Sequence, residues 1–303
     1  MAKALIEVRG ACKRYGEISA VDGVDLSIGA GEMFGLIGRN GAGKSTLFKL
    51  ILGLTPATAG EIRIDGQSVS GPQFRQVRRR LGYLPENLAL YDNLTGLETL
   101  EFWGSLKGAP RGACGVLLER VGLAHAADRR VRTYSKGMRQ RLGFAQALLG
   151  DPALLLLDEP TNGLDPEGIR DFYRILHEQR ARGCTILITS HILAEIQERV
   201  ERIAILDAGK IRALGAVHAL RETLDLPLTF ELRIPSEWRD ALHSSLAHLS
   251  LGEPVIHEDR IRLQIPRAAR MAALAALAPL LERISYFYIR EPSLEDVFLG
   301  QSA

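Results

Sequence analysis

Apolar and polar residues follow different periods along successive parts of the chain. Between residues 5 and 28 they alternate and are separated by Gly and Asp, a pattern typical of antiparallel strands. Consecutive apolar residues predict buried strands over 33–37, 153–157, 185–189 and 203–206. Apolar residues at helical spacing predict helices over 46–54, 166–180 and 194–200. Because these strands and helices alternate, the pattern predicts an α/β domain with a parallel sheet.

Two further regions depart from this alternation. Residues 88–150 carry Leu, Ala and aromatic residues at helical spacing, which predicts a helical subdomain. Past residue 215, the pattern predicts strands over 228–234, 261–265 and 284–289 and helices over 236–249 and 268–281. If 254–265 holds two strands, the order is β-α-β-β-α-β, the ferredoxin-like arrangement. We therefore predict a domain over 1–215 and a small α+β domain over 216–303.

Composition and charge narrow the class of protein. The chain has 303 residues, of which 46% are hydrophobic and 24% are charged, and its net charge is +2. So small a net charge gives no long-range attraction to nucleic acid. The chain has two arginine clusters, at 75–80 and 129–132, and these are expected to be solvated faces or partner contacts. Three scattered cysteines favour a reducing compartment. No apolar run reaches the roughly 20 residues that span a bilayer, so the expected location is the cytoplasm.

A phosphate-binding pattern, G-x-x-x-x-G-K-[ST], follows the strand predicted over 33–37. Glycines let the backbone approach phosphates closely, and the following helix adds the positive end of its dipole. Lys44 is expected to reach the β- and γ-phosphates, and the Ser45 hydroxyl is expected to ligate Mg²⁺. The pattern predicts triphosphate binding by Gly38, Arg39, Asn40, Gly41, Ala42, Gly43, Lys44, Ser45 and Thr46.

Two adjacent carboxylates end the strand predicted over 153–157. Neighbours along a strand point in opposite directions, so Asp158 and Glu159 are expected to have different tasks. Asp158 suits the Mg²⁺ site beside Ser45, as strand-end Asp residues do in phosphate-loop proteins. Glu159 is then placed to orient or deprotonate the water that attacks the γ-phosphate.

A third motif, Ser135-Lys136-Gly137, precedes apolar residues at helical spacing. Ser135 is a natural N-cap, and a capped helix start binds anions. An ordinary capped surface helix has the same pattern. Because the chain already carries a complete phosphate loop, a second anion site for one γ-phosphate suggests two copies of the chain.

The order of these motifs, followed by Gly163-Leu164-Asp165-Pro166 and Ser190-His191, resembles the ATP-binding subunit of an ABC transporter. The resemblance covers residues 1 to about 215 and implies a P-loop NTPase fold with a mixed sheet. It implies that two copies close head to tail around ATP and Mg²⁺. Each copy would then place its Ser135, Lys136 and Gly137 against the γ-phosphate held by the other.

By the same resemblance, Tyr15 would stack on adenine, His191 would contact the γ-phosphate and Asp165 would lie at the dimer interface. Taken alone, these residues are also consistent with an edge aromatic, a helix-start residue and a turn former before proline. Two positions depart from the usual family pattern. Glu86 stands where a glutamine is usual and can act as a catalytic or Mg²⁺-ligating carboxylate. Lys136 replaces a glycine and either attracts the γ-phosphate or is simply solvated.

These departures, with the segment 291–298, resemble the subgroup whose partner is a separate polytopic permease of the ABC-2 type. Segments 81–87, 122–130 and 134–150 look like those of NosF proteins, which support copper-site maturation of nitrous oxide reductase. That resemblance implies a homodimer on the inner face of the cell membrane, a NosY-like permease and a periplasmic NosD-like protein. The alternative is the ATPase of an ABC-2 exporter of drugs, lipids or ions. A soluble ABC ATPase acting on DNA or ribosomes fits less well, since the chain has neither a long coiled coil nor two cassettes.

Overall fold

The computed structural model describes residues 4–110, 112–223, 227–246, 249, 254–257 and 260–290. The chain divides into two compact units, Met1–Val217 and His218–Ala303. Each unit is described by itself below. The segment 291–298, which contributes to the ABC-2 resemblance, lies outside the described residues.

An antiparallel sheet with the strand order β2-β1-β4-β5 forms one layer of the first unit. Its strands are β1 (Ala4–Tyr15), β2 (Ile18–Gly29), β4 (Ala59–Ile64) and β5 (Gln67–Ser68). The alternating pattern near the N-terminus thus predicts β1 and β2 correctly. Their inward side chains pack with those of α1 (Lys44–Ile51) in one apolar core.

A six-stranded mixed sheet forms the second layer, in the order β10-β9-β3-β8-β7-β6. The strands are β3 (Met33–Ile37), β6 (Leu81–Leu84), β7 (Leu154–Leu157), β8 (Thr185–Ser190), β9 (Arg202–Asp207) and β10 (Lys210–Ala216). Only β10 is antiparallel to its neighbour. β3, β7 and β8 are buried along their whole length, which explains their uninterrupted apolar sequences. The pattern does not predict β6 or β10.

Helices connect the strands of the first unit, and three of them lie within residues 88–150, the predicted helical subdomain. The helices of the first unit that follow α1 are α2 (Phe74–Arg79), α3 (Gly96–Lys107), α4 (Gly112–Arg120), α5 (Lys136–Leu148), α6 (Pro166–Ala181) and α7 (Leu193–Ile196). α3 starts at a capping box in which Thr95 and Glu98 satisfy each other's backbone amides. The helix expected over 194–200 is wrong in length. It ends at Ile196, because the chain turns there to enter β9 at Arg202.

The second unit begins with α8 (Val217–Thr223) at its boundary and has the β-α-β-β-α-β order. Its remaining elements are β11 (Leu228–Arg233), α9 (Arg239–Leu246), β12 (Val255–His257), β13 (Arg260–Ile265), α10 (Arg270–Leu277) and β14 (Tyr286–Arg290). The strand order β12-β13-β11-β14 is antiparallel throughout, as in ferredoxin-like domains. The helix expected over 268–281 is too long. Pro279 cannot continue an α-helix, and residues Ala278–Arg283 form a 3-10 helix instead.

A half-buried lysine connects the helical subdomain to the six-stranded sheet. Lys107 ends α3, and its Nζ donates to the carbonyl oxygens of Leu81 and Leu149, each at 3.1 Å. Burial disfavours the ammonium form and lowers the pKa of Lys107 to about 8. Leu81 starts β6 and Leu149 follows α5, so one side chain joins three elements.

We expect Lys107 to make the free energy of unfolding rise with pH between about 8 and 10.5. Its folded-state pKa lies below the ordinary value of 10.5, so the unfolded chain binds more protons across that interval. The resulting penalty is fully present below pH 8 and disappears as the pH rises towards 10.5. Replacement by Lys107→Met should remove this pH dependence, which amounts to up to about 3 kcal/mol.

The measurement is the free energy of unfolding from urea titrations at pH 7.5 to 10. The control is Lys49→Met, which changes an exposed lysine near the end of α1 and should keep the wild-type pH dependence. If the free energy of unfolding of Lys107→Met rises with pH as steeply as that of the wild type, burial of Lys107 is not the cause of the pH dependence.

Candidate functional site

The loop between β3 and α1 has a backbone that only glycine permits at two points. A Cβ on Gly38 would lie 2.4 Å from the Leu206 carbonyl oxygen. Gly43 has a φ of 107°, and a Cβ there would lie 2.2 Å from the Ala20 carbonyl oxygen. The loop therefore curls against β2 and β9 closely enough to exclude any side chain at either position.

Lys44 is the first residue of α1 and is buried, with 6% of its side chain exposed. Its Nζ donates to the carbonyl oxygen of Gly38 at 2.5 Å and of Arg39 at 3.3 Å. The same nitrogen lies 3.2 Å from Glu159 Oε1. A buried ammonium needs such partners, because an isolated charge in the interior is costly. The lysine is thus held at the centre of the loop.

Asp158 and Glu159 follow β7 and point to different partners. Asp158 Oδ1 accepts a 2.7 Å hydrogen bond from the Thr189 hydroxyl, which in turn accepts one of 2.9 Å from the Glu159 amide. The expected separation of the two carboxylates is correct, but strand alternation is not its cause. β7 ends at Leu157, and Glu159 has a left-handed φ of 47° that turns its side chain towards Lys44.

His191 lies beside Glu159, the residue after Asp158. Its Nδ1 is 2.7 Å from Glu159 Oε2, and the side chain is 38% exposed. Thr189 is a site residue that the motifs do not identify. It is one of three buried polar residues on β8, with Thr185 and Ser190, so its burial in a core strand does not single it out in the sequence.

The loop and Glu159 surround a cavity of about 310 Å³. Its lining residues are Ala20, Arg39, Asn40, Gly41, Gly43, Lys44, Ser45, Thr46, Glu86 and Glu159. Seven of the nine predicted phosphate-binding residues therefore line one cavity, together with Glu86, the predicted catalytic or Mg²⁺-ligating carboxylate. Gly38 and Ala42 belong to the loop backbone but do not line the cavity. Ala20 is an addition that the sequence does not indicate.

Negative charge is concentrated at the ends of β6 and β7. The pKa of Tyr83 is raised to about 12, chiefly by burial, with smaller contributions from the carboxylates of Asp158 and Glu86. Carboxylate and hydroxyl oxygens are the ligands that Mg²⁺ prefers, and it commonly binds through one or two carboxylates and phosphate oxygens. Asp158 and Ser45, together with the phosphate-binding loop, fit a magnesium nucleotide.

Tyr15 and the Ser135 motif lie apart from the lining of this cavity. Tyr15, at the end of β1, is 48% exposed, with Lys13 Nζ 5.0 Å from its ring centroid. Ser135 caps α5 by accepting the Met138 amide at 3.2 Å, and Lys136 beside it is exposed. Gly137 completes this helix start.

Asp165 caps α6 in a similar way. Its Oδ1 accepts a 3.0 Å hydrogen bond from the Gly168 amide. This bond is the main cause that lowers the pKa of Asp165, and Arg141 contributes. The four predicted residues at the starts of α5 and α6 are thus absent from the lining of the cavity that holds Lys44.

None of the helices in the described part of the chain combines the length and the apolar character needed to cross a bilayer.

Comparison with known proteins places the chain in a family. A family model described as ABC transporter matches residues 21–162. The chain is 37% identical over 309 residues to the daunorubicin resistance ATP-binding protein DrrA3 of Streptomyces coeruleorubidus, covering 99% of this chain and 96% of that protein. It is 32% identical to the linearmycin resistance ATP-binding protein LnrL of Bacillus subtilis, covering 98% and 97%. The bacitracin transport ATP-binding protein BcrA of Bacillus licheniformis is 37% identical, covering 85% and 83%.

Solved structures agree with these relatives. The ATP-binding subunit of an ABC transporter is 34% identical, with a TM-score of 0.67, over 72% of this chain and 92% of that chain. The ATP-binding cassette MJ0796, in a dimeric post-hydrolysis state with ADP and Pi, is 27% identical with a TM-score of 0.65, over 70% and 98%. Two of these relatives match the chain nearly end to end, and its site is built around a phosphate loop. The chain therefore belongs to the family of ABC transporter ATP-binding proteins, and it is an ATPase that uses ATP with Mg²⁺.

Proposed function

We propose that this chain drives an ABC-2 exporter whose cargo belongs to the class of antibiotics and related drugs. The observation that carries the proposal is end-to-end similarity, including the second unit, to two ATP-binding proteins named for resistance to daunorubicin and linearmycin. The protein named for bacitracin transport adds support. None of these three is a NosF protein, so they favour the exporter over the copper-maturation hypothesis and over a periplasmic NosD-like partner.

Within the site, each proposed role follows from the contacts of the residue. Lys44 holds the β- and γ-phosphates, because its buried ammonium lies at the centre of the loop. Ser45 and Asp158 would hold Mg²⁺, and Glu86 could join them. Ser45 and Glu86 line the cavity, whereas Asp158, which precedes the lining residue Glu159, does not. When bound, Mg²⁺ offsets the charge of the phosphate oxygens during transfer. Tyr15 is proposed to stack on adenine.

Glu159 is the proposed general base. It lines the cavity, and a carboxylate within reach of an attacking water can remove its proton. His191 contacts the same carboxylate at 2.7 Å, so it orients Glu159 as well as facing the γ-phosphate. Thr189 joins Asp158 to the Glu159 backbone and thereby fixes the distance between the metal ligand and the base.

The starts of α5 and α6 are proposed to complete the site of a second copy of the chain. Ser135, Lys136, Gly137 and Asp165 do not line the cavity of their own chain. A dimer that places them across from Lys44 would give them a phosphate to bind. The cassette MJ0796 is dimeric in a structure with 28% identity and a TM-score of 0.66.

An exposed aromatic cluster on the helical subdomain is the proposed contact with the permease. Tyr91 and Phe102 are both exposed, with ring centroids 5.8 Å apart, and Trp103 lies 5.3 Å from Phe102. Leu106, one turn further along α3, is also exposed. Aromatic side chains at the centre of an interface contribute much of its binding energy. Docking here would hold the chain on the inner face of the cell membrane.

The roles of Lys44 and Glu159 predict opposite effects on nucleotide binding. Lys44→Ala should abolish measurable ATP binding, because the loop loses its only buried cation among the described lining residues. Glu159→Gln should retain ATP and accumulate a dimer, with hydrolysis lowered by roughly 10² to 10⁴. Equilibrium dialysis and size-exclusion chromatography with ATP and Mg²⁺ measure both effects. Unchanged ATP binding in Lys44→Ala, or wild-type turnover in Glu159→Gln, would contradict these roles.

Thr189 offers a matched pair of substitutions. Thr189→Val removes the hydroxyl but keeps the shape, so Asp158 and the Glu159 amide each lose a buried partner at a cost of about 1–3 kcal/mol. We expect a lower rate of ATP hydrolysis and a weaker dependence of that rate on the Mg²⁺ concentration. Thr189→Ser keeps the hydroxyl and should remain close to wild type. Equal rates for the Val and Ser variants, measured across a Mg²⁺ titration, would argue against the bridging role.

Cargo class is tested in cells of the source organism. A strain carrying Glu159→Gln should retain more daunorubicin, linearmycin or bacitracin than the wild type and grow less well in the presence of at least one. Nitrous oxide reductase should keep its copper centres. Unchanged drug retention together with a copper-deficient reductase would reverse the choice in favour of the NosF hypothesis.

A further inference from the structure

The first two turns of α5 are hydrogen-bonded to the loop that follows Glu159 in the same chain. Gln140 is buried, and its Nε2 donates a 2.8 Å hydrogen bond to the Pro160 carbonyl oxygen. Pro160 is the residue directly after Glu159. A single side chain on the helix that begins at Ser135 therefore holds the backbone next to the proposed base.

Two more side chains of α5 contact the rest of this loop. Arg141 Nη2 lies 3.3 Å from Asp165 Oδ1 at the start of α6. The alkyl carbons of Lys136 lie over Gly163, where an added Cβ would be 2.8 to 2.9 Å from three of them. The loop 160–165 is thus held at its start, middle and end by residues of one helix.

Glu159 needs such support, because its local preferences oppose its conformation. A φ of 47° costs a residue with a Cβ about 1–2 kcal/mol, and a following proline disfavours helical conformations further. Conformations of this kind persist only where the surroundings determine them. The Thr189 hydroxyl holds the Glu159 amide from the sheet, and Gln140 holds Pro160 from α5.

Packing does not replace the hydrogen bond from Gln140. A cavity of about 20 Å³ lies beside the contact, and its lining includes Gln140, Pro160 and Leu164. Space for about one water molecule remains there. Without the bond to Gln140, Pro160 would thus have room to move, and Glu159 would move with it.

We infer that Gln140 is a positioning residue for Glu159. Through the Pro160 carbonyl it sets the orientation of the carboxylate, and it links that orientation to the helix whose start is proposed to bind the partner's nucleotide. The inference rests on the proposed role of Glu159. A displacement of α5 in one chain would then change the activity of that chain's own base.

The test uses Gln140→Glu and Gln140→Leu in the full-length chain, with its permease where the two co-purify. The carboxyl group introduced by Gln140→Glu cannot donate to Pro160 when it is ionised, whereas its protonated form can. We expect the kcat of Gln140→Glu to be roughly tenfold or more below wild type at pH 8, with KM for ATP little changed. The ratio of variant to wild-type kcat should rise towards pH 6, because burial raises the pKa of the new carboxyl. For Gln140→Leu, which cannot recover the bond, the ratio should stay low at every pH.

Gln146→Glu is the matched control. It makes the same change further along α5 at a side chain that is only partly buried, and its kcat ratio should stay near one across the pH range. The thermal midpoint of each variant is measured at each pH, so that loss of folding is distinguished from loss of rate. Recovery of the same Gln140→Glu sample on acidification also shows that it was folded.

A double mutant separates positioning from a general structural effect. If Gln140 acts through Glu159, Gln140→Leu should change the residual rate of Glu159→Gln less than about twofold. The inference would be overturned if Gln140→Leu lowered the rate of Glu159→Gln by the same factor as it lowers the wild-type rate. It would also be overturned if the ratio of Gln140→Glu kcat to wild-type kcat did not change with pH. If wild-type hydrolysis does not depend on Glu159 at all, the proposed function fails first, and that outcome is read from the Glu159→Gln single variant.

Discussion

Three neighbouring strands that run parallel end at the same edge of the six-stranded sheet, and the site depends on that edge. β3 leads into the phosphate loop, β7 leads to Asp158 and Glu159, and β8 ends in the segment that carries Thr189 and His191. Parallel strands bring their carboxyl ends together, where open α/β sheets bind ligands. The buried contact between Lys44 and Glu159 joins the outer two of these strands across β8. Every proposed step of ATP hydrolysis uses groups at this edge.

Lys44 and Glu159, two of the buried charges at this edge, are in contact with each other. Lys44 contacts two carbonyl oxygens and Glu159, and Glu159 also contacts His191. Removing one member of a buried ion pair leaves the other uncompensated, which usually costs more than the pair contributes. The site is consequently a unit in which single substitutions have large effects. Thr189 adds a neutral hydroxyl to this unit, which joins the Asp158 carboxylate to the Glu159 backbone amide.

The helical subdomain is connected to the six-stranded sheet and to the site by two kinds of contact. Lys107 joins α3 to β6 and to the end of α5. Gln140 and Arg141 join α5 to the loop between Glu159 and α6. Under the proposed function, the aromatic cluster of Tyr91, Phe102 and Trp103 meets the permease, and the start of α5 meets the nucleotide of a second copy. Gln140 connects α5 to the loop that follows Glu159. The second unit has its own apolar core.

Residue order and spacing determine the phosphate loop, the Asp158–Glu159 pair and the α/β architecture, because glycine, proline and apolar periodicity act locally. For the second unit they predict three strands and leave open whether 254–265 holds a fourth, which the structure supplies as β12. The contacts among distant residues were decided by the tertiary structure alone. Thr189 and Gln140 carry no motif, since a hydroxyl or an amide becomes significant only when another strand or loop is brought within 3 Å. The left-handed turn at Glu159 is likewise invisible in the sequence, because local preference opposes it and only the surrounding contacts maintain it.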